Sequence, residues 1–137
     1  MDPNEFEYVT EGMKWLAIAG GTYFGALLSI SSMSHIFSKK IHNQNELDNV
    51  VDEEASKLGM DRPVKGILYL GHGGIAVKNE DGTYQIEIGV ESARRSDVRH
   101  ELYHVHREDF DRPLSNFRYW FVAEPRAIAY QAFGLKL

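Results

Sequence analysis

Cysteine is absent from this 137-residue chain, and that one absence removes disulfides, thiolate zinc sites and a cysteine nucleophile together. Any metal must then be held by nitrogen and oxygen ligands. The redox compartment stays open, since a cysteine-free chain suits any. A basic excess is also missing: 15 Lys and Arg stand against 20 Asp and Glu, a net charge of −5, which argues against phosphate-driven nucleic-acid binding as the main activity. The chain has no internal repeat, no low-complexity tract and no Gly-x-Ser-x-Gly elbow to seat a serine nucleophile. Its length suits one domain able to bury a single core if most of it folds together.

What is present begins with an abrupt change of character. The N-terminal segment is acidic (Asp2, Glu5, Glu7 and Glu11 against Lys14), and then Trp15 to Met33 carries no charge at all. That run is close to the roughly 20 residues a helix needs to cross a bilayer core, although Gly20, Gly21, Gly25 and three serines dilute it. It admits two readings, a membrane anchor or a buried helix of the fold. A cleaved leader fits less well, because its leading region should be basic. If the run spans, Lys39 and Lys40 after it place the catalytic portion in the cytoplasm; the alternative is a soluble cytoplasmic chain. The organisation expected is residues 1–40 as an acidic segment plus apolar helix, and 41–137 as the domain that carries chemistry.

From Asn45 to Leu58, Leu47, Val50, Val51, Ala55 and Leu58 recur at helical spacing, and Gly59 ends the run. Three β-prone runs follow, Val64 to Leu70, Ile75 to Lys78 and Thr83 to Val90. They are joined by Gly71-His72-Gly73-Gly74 and by Asn79-Glu80-Asp81-Gly82, compositions suited to tight hairpins. Together they predict a small antiparallel meander whose last strand is free to pair with an extended peptide. Ser92 to Arg107 reads as a helix with Ser92 or Ser96 as its cap, a break follows over Asp109 to Pro113, and Phe117 to Leu135 is helical in its second half. The fold class expected is α+β, a three-stranded antiparallel sheet packed on these two helices.

His100-Glu101-Leu102-Tyr103-His104 lies on the first of them. Residues four apart share a helix face, so both imidazoles can reach one metal ion, while Glu101, one residue round, faces the water that a catalytic zinc activates. Zinc held by three protein ligands keeps a position open and makes a water molecule acidic near neutral pH. The third ligand singled out is Glu124, with nineteen residues between it and His104, in Phe121-Val122-Ala123-Glu124-Pro125-Arg126-Ala127-Ile128-Ala129.

At this point the chain resembles the gluzincins, the zinc metallopeptidases related to thermolysin, in which a second helix supplies a glutamate ligand at this kind of separation. The resemblance implies Zn2+ as cofactor, His100, His104 and Glu124 as its ligands, Glu101 as general base, and a peptide or unfolded protein as substrate. It covers about Asn45 to Leu137, and the short tail after Glu124 looks most like the minimal gluzincins. Two departures stand out. Ile128 occupies the position where some relatives carry an aspartate that orients a ligand histidine, and the subdomain that supplies thermolysin's oxyanion-stabilising histidine has no counterpart, leaving Tyr119, Tyr130 and His106 as available donors. Asp97, Asp109, Asp111 or a backbone carbonyl must orient the ligand imidazoles. Pro125 puts the start of the glutamate helix close to Glu124.

Other zinc classes fail on the letters: a metzincin needs Gly at 107 and His or Asp at 110, where this chain has Arg107 and Phe110, and a deformylase-like site needs a cysteine. Asp109 or Asp111 as third ligand is the alternative to Glu124. His106 reads as a surface residue, Arg94, Arg95 and Arg99 as a solvated helix face, and Phe117, Tyr119, Trp120 and Phe121 as packing. The competing function is a non-enzymatic, membrane-tethered interaction or regulatory protein with a structural metal or none; a structural site has no need of Glu101.

Overall fold

A computed structural model describes residues 3–109 and 118–136, with the side chains of 3–12, 15 and 16 left aside. It is α+β. The elements described are α1 (Pro3–Phe37), α2 (Gln44–Leu58), β1 (Val64–Tyr69), β2 (Gly74–Lys78), β3 (Tyr84–Gly89), α3 (Arg95–Arg107) and α4 (Glu124–Phe133), the last entered through a π-helical turn, Tyr119–Ala123.

The sheet is mixed, in the order β1-β3-β2, with β1 parallel and β2 antiparallel to β3. The all-antiparallel meander expected from the sequence is therefore corrected, and so is the free edge assigned to the third run. Two features account for the order. The inward side chains of β3, Tyr84, Ile86 and Ile88, are buried, so this strand gains most from a central place, each isoleucine contributing roughly 1.5–3 kcal/mol relative to exposure. Meanwhile Gly71 to Gly73 does not close a hairpin but passes across the end of β3: Gly89 N–H donates to Gly73 O at 2.7 Å and Val90 N–H to Tyr69 O at 2.9 Å. A Cβ on Gly89 would lie 2.3 Å from Gly71 O, so only glycine lets the crossing chain lie that close. The second turn is the hairpin expected, closed by Asn79 N–H to Thr83 O at 2.9 Å. Among the described residues, the outer edge of β2 carries no strand.

Helix α2 starts where Asn43 Oδ1 accepts the Glu46 N–H at 2.9 Å and stops at Gly59, φ 71°. Its apolar stripe, Leu47, Val51 and Leu58, meets β1 and α3 in one core with Ile86, Ile88, Val98 and Leu102. Helix α3 begins at Arg95, not at either serine proposed as a cap. Asp97 Oδ2 accepts the Arg94 N–H at 3.0 Å, and Ser38, beyond the end of α1, accepts the Ser96 N–H at 2.8 Å. Ser92 instead accepts the Gly73 N–H at 2.9 Å and ties down the crossing loop. Nor are Arg95 and Arg99 a solvated face: both clamp the fully buried Glu54 of α2, at 2.5 Å and 3.0 Å from their Nε atoms.

The apolar run of the N-terminal segment does form a helix, about 52 Å long at 1.5 Å per residue over its 35 residues. Among the described residues no helix is long and apolar enough to cross a membrane, so the spanning expectation for Trp15 to Met33 is set aside. The buried alternative is also only half right. Leu28, Met33 and Ile36 are exposed, while another face packs on the C-terminal elements, with the Tyr23 and Phe121 rings stacked 5.2 Å apart and Phe24 edge-on to Trp120.

Candidate metal centre

Helix α3 brings its polar face under the start of β2. There His100 and His104, one turn apart, set their Nε2 atoms 3.2 Å from each other. Helix α4 closes the group: Glu124 Oε2 lies 3.4 Å from His100 Nε2, and Glu124 Oε1 lies 3.4 Å from His104 Nε2. Metal–ligand bonds of 2.0–2.2 Å at tetrahedral angles put donor atoms about 3.3–3.5 Å apart. The three observed separations are those of a coordination shell, and among the described residues this is the group of His and carboxylates close enough to hold an ion.

The outer nitrogens say which lone pairs face inward. His104 Nδ1 donates to Asp109 Oδ2 at 2.9 Å, and His100 Nδ1 pairs with Gln131 Oε1 at 3.1 Å. With Nδ1–H used outward, a neutral ring turns a lone pair from Nε2 towards the centre, the orientation a metal ligand needs. Two lone pairs and a carboxylate converging at these distances require a positive charge between them. The chain supplies one as a proton. His104 is almost fully buried, which opposes the charged ring, yet the hydrogen bonds it donates to Asp109 and Glu124 win and push its pKa up to about 9. Burial resists the Glu124 carboxylate in the same way, and the histidines and Tyr119 hold it far below the usual range. The donor set fits a divalent cation.

Glu101 stands beside this group without belonging to it. Burial pushes its carboxyl up, against the opposing pull of His100 and His104. It packs closely under β2 where residue 74 is glycine: a Cβ there would lie 3.0 Å from Glu101 Oε1, and the carboxylate would have to give way by a few tenths of an ångström. A cleft of about 340 Å³ opens over His100 and Glu101, with Gly74, His72, His35 and Gln131 also on its walls. A larger cavity of about 460 Å³, on the flank of α1 that carries Ile30 and Phe37, touches none of the donors.

The approach of Glu124 depends on Pro125. Proline has no N–H and its ring crowds the carbonyl four residues back, so a helix running through this point must widen. It does so in the π turn, where the Glu124 N–H bonds to Tyr119 O, five residues back. The α-helix itself begins at Glu124, as Pro125 implied, and the widened π turn before it carries Tyr119 into the site. There its ring stacks 6.0 Å from His104 and its hydroxyl is hydrogen-bonded to Glu124.

The sequence thus pointed to the residues that the structure brings together: His100, Glu101, His104 and Glu124. Asp109 sits behind His104 as an orienting partner rather than a ligand, and Asp111 lies outside the described residues. Tyr130 is buried against Tyr103, and His106 packs near the same ring, away from the donors. Two cleft residues were missed. Gln131 had a readable signal, since it follows Glu124 by two helical turns on one face of α4. His35 had none, because only the docking of α1 brings it there. Neither family models nor curated proteins nor solved structures give a match to this chain.

Proposed function

We propose that the chain is a zinc-dependent metallopeptidase of the gluzincin type, acting on peptides or locally unfolded protein segments. The observation that carries this reading is the set of three donor atoms at coordination spacing with a buried carboxylate, Glu101, beside them that ligates nothing. His100, His104 and Glu124 would hold the ion. Zinc so held supplies Lewis-acid chemistry that makes a water molecule acidic near neutral pH.

The chain's own groups do the rest. Glu101, its proton affinity raised by burial, is suited to take and return a proton. It removes one from the attacking water as the water oxygen bonds to the carbonyl carbon and the C=O π pair moves to the carbonyl oxygen. When that pair returns, the C–N bond breaks and Glu101 hands its proton to the leaving nitrogen. Asp109 and Gln131 keep the imidazoles aimed. The outer edge of β2 begins at the cleft, at Gly74, so an extended peptide pairing there would lie over the site by main-chain bonds alone.

The test compares the parent with Glu101→Gln for zinc content and for cleavage of an extended peptide. Both should hold about one zinc, and the variant should lose roughly 10²–10⁴-fold in rate. A parent that binds zinc and cleaves nothing would favour the structural-metal alternative, and a variant as active as the parent would falsify the role given to Glu101.

A further inference from the structure

We propose that the cavity of about 460 Å³ on the flank of α1 binds a fatty acid, its carboxylate on Arg99 and Lys39 and its alkyl chain against Ile30, Met33, Phe37 and Phe133. The assignment does not rest on the hydrolase reading above, since none of the metal donors lines this cavity.

Three elements form its walls: the last two turns of α1, the start of α3 and the end of α4. Their apolar side chains are unusually open. Phe37 and Phe133 keep 82% and 66% of their surface in contact with solvent, and Met33 is exposed as well. Single exposed apolar residues are ordinary on any protein, whereas these share one concavity. Its volume lies within the range of about 300–1,000 Å³ of pockets that enclose one small ligand, so a single molecule rather than a flat surface suits it.

Charge says which end of a ligand goes in. No carboxylate lies on these walls among the described residues, although the chain carries a net −5. Around Glu54 the cations outnumber the carboxylates, because Arg95, Arg99 and Lys57 face Glu53 and Glu54. The surplus falls on Arg99. Its Nε donates to Glu54 at 3.0 Å, and its terminal nitrogens have no hydrogen-bond partner among the described residues. A guanidinium with its outer edge open matches a carboxylate in charge and in geometry. Lys39 adds an ammonium group on the same wall, where its carbonyl accepts the Arg95 N–H at 3.0 Å and fixes the chain. Gln131 is buried and has its Oε1 on His100 and Ser31, so its amide nitrogen is a further donor without a partner among the described residues. Arg99 is the more covered part of the wall and the two phenylalanine rings the more open part. The acid therefore sits inside and the chain trails outward between the rings.

The experiment titrates dodecanoate, below its micellar concentration, into the full chain in the presence of chelator, so that no metal draws the carboxylate. Saturable binding of about one molecule per chain is expected, with the ring signals of Phe37 and Phe133 and the methyl signal of Met33 shifting on loading. Decanoate, shorter by two methylenes, should bind about tenfold more weakly. Dodecyl maltoside keeps the chain and loses the charge, and should bind about 10–100-fold more weakly; Arg99→Gln should weaken dodecanoate by a similar factor. Met33→Glu leaves the Glu54 cluster untouched and sets a like charge on the wall, so it should weaken dodecanoate several-fold in a chain that melts like the parent. Acetate as tight as dodecanoate overturns the assignment, and so does dodecyl maltoside as tight as dodecanoate with Arg99→Gln unchanged. A chain that takes up no dodecanoate overturns it too, whether it binds nothing or sediments with phosphatidylglycerol vesicles, the behaviour of a membrane-facing surface. None of these outcomes bears on whether the metal centre hydrolyses peptides, which the Glu101→Gln comparison decides separately.

Discussion

Two charged clusters share helix α3 and are built on different principles. On one face Arg95 and Arg99, with Lys57 from α2, surround Glu54. Burial opposes that carboxylate, but the three cations hold its pKa down. The buried charge there is answered by side chains of the same chain. On the other face His100, His104 and Glu124 turn acceptors towards one point and leave the answer to a proton or an ion. A buried carboxylate met by side-chain cations is architecture, while a cluster of convergent acceptors has the form of a binding site. The same helix does both because residues 95 and 99 project away from 100 and 104.

The largest effect that could break this contrast is metal coupling to stability. A ligand that binds only the folded chain stabilises it by about 4 kcal/mol when free zinc exceeds Kd a thousandfold, so zinc should raise the melting temperature of the parent and chelator should reverse it. His104→Ala and Glu124→Ala should each lose most of that rise; a Glu124→Ala chain that keeps it would show that the third ligand lies elsewhere. Next in size is Glu54→Ala. Removing one member of a buried ionic group costs 3–5 kcal/mol, and about 3 is expected because Arg95 and Arg99 keep 22% and 30% of their side-chain surface. Denaturant unfolding should show this loss with or without zinc, and the zinc-induced stabilisation should be unchanged. If Glu54→Ala altered zinc affinity, the two clusters would be one network.

Smaller and sharper is Gln131→Ala. Partners that orient a ligand histidine are worth 10–100-fold in metal affinity, and competition titration should find a loss of that size with all three ligands intact. The smallest effect concerns pH. His104 titrates at about 9 in the zinc-free fold against an ordinary 6.5, so its contribution is complete below 6.5 and disappears as pH rises through 9. The melting-temperature gap between zinc-free parent and His104→Gln should therefore close over that window, while zinc affinity, which requires the deprotonated ring, should rise over it. A gap that is flat from pH 6 to 9.5 would show that no proton is held there.

Much of the site was legible in the sequence because its parts are local. His100, Glu101 and His104 stand within one helical turn and a half, and 3.6 residues per turn decides their relative directions wherever the helix is placed. Glu124 needed more, a second helix at the right separation, and resemblance to a known family supplied it. The cysteine-free, acidic composition bounded the chemistry, and the α2 stripe, its Gly59 stop and the Asn79 to Gly82 hairpin were equally local. The sheet order was not. A Gly-rich segment suits a tight turn and a crossing alike, and only the competition among three strands for the central position put β3 between its neighbours. Charge-free Trp15 to Met33 likewise said helix without saying what the helix touches. The tertiary structure decided that, seating Ser31 and His35 on the wall of the cleft and turning Arg95 and Arg99 inward onto Glu54. Spacing along a chain fixes directions within an element, and only packing between elements fixes which directions meet.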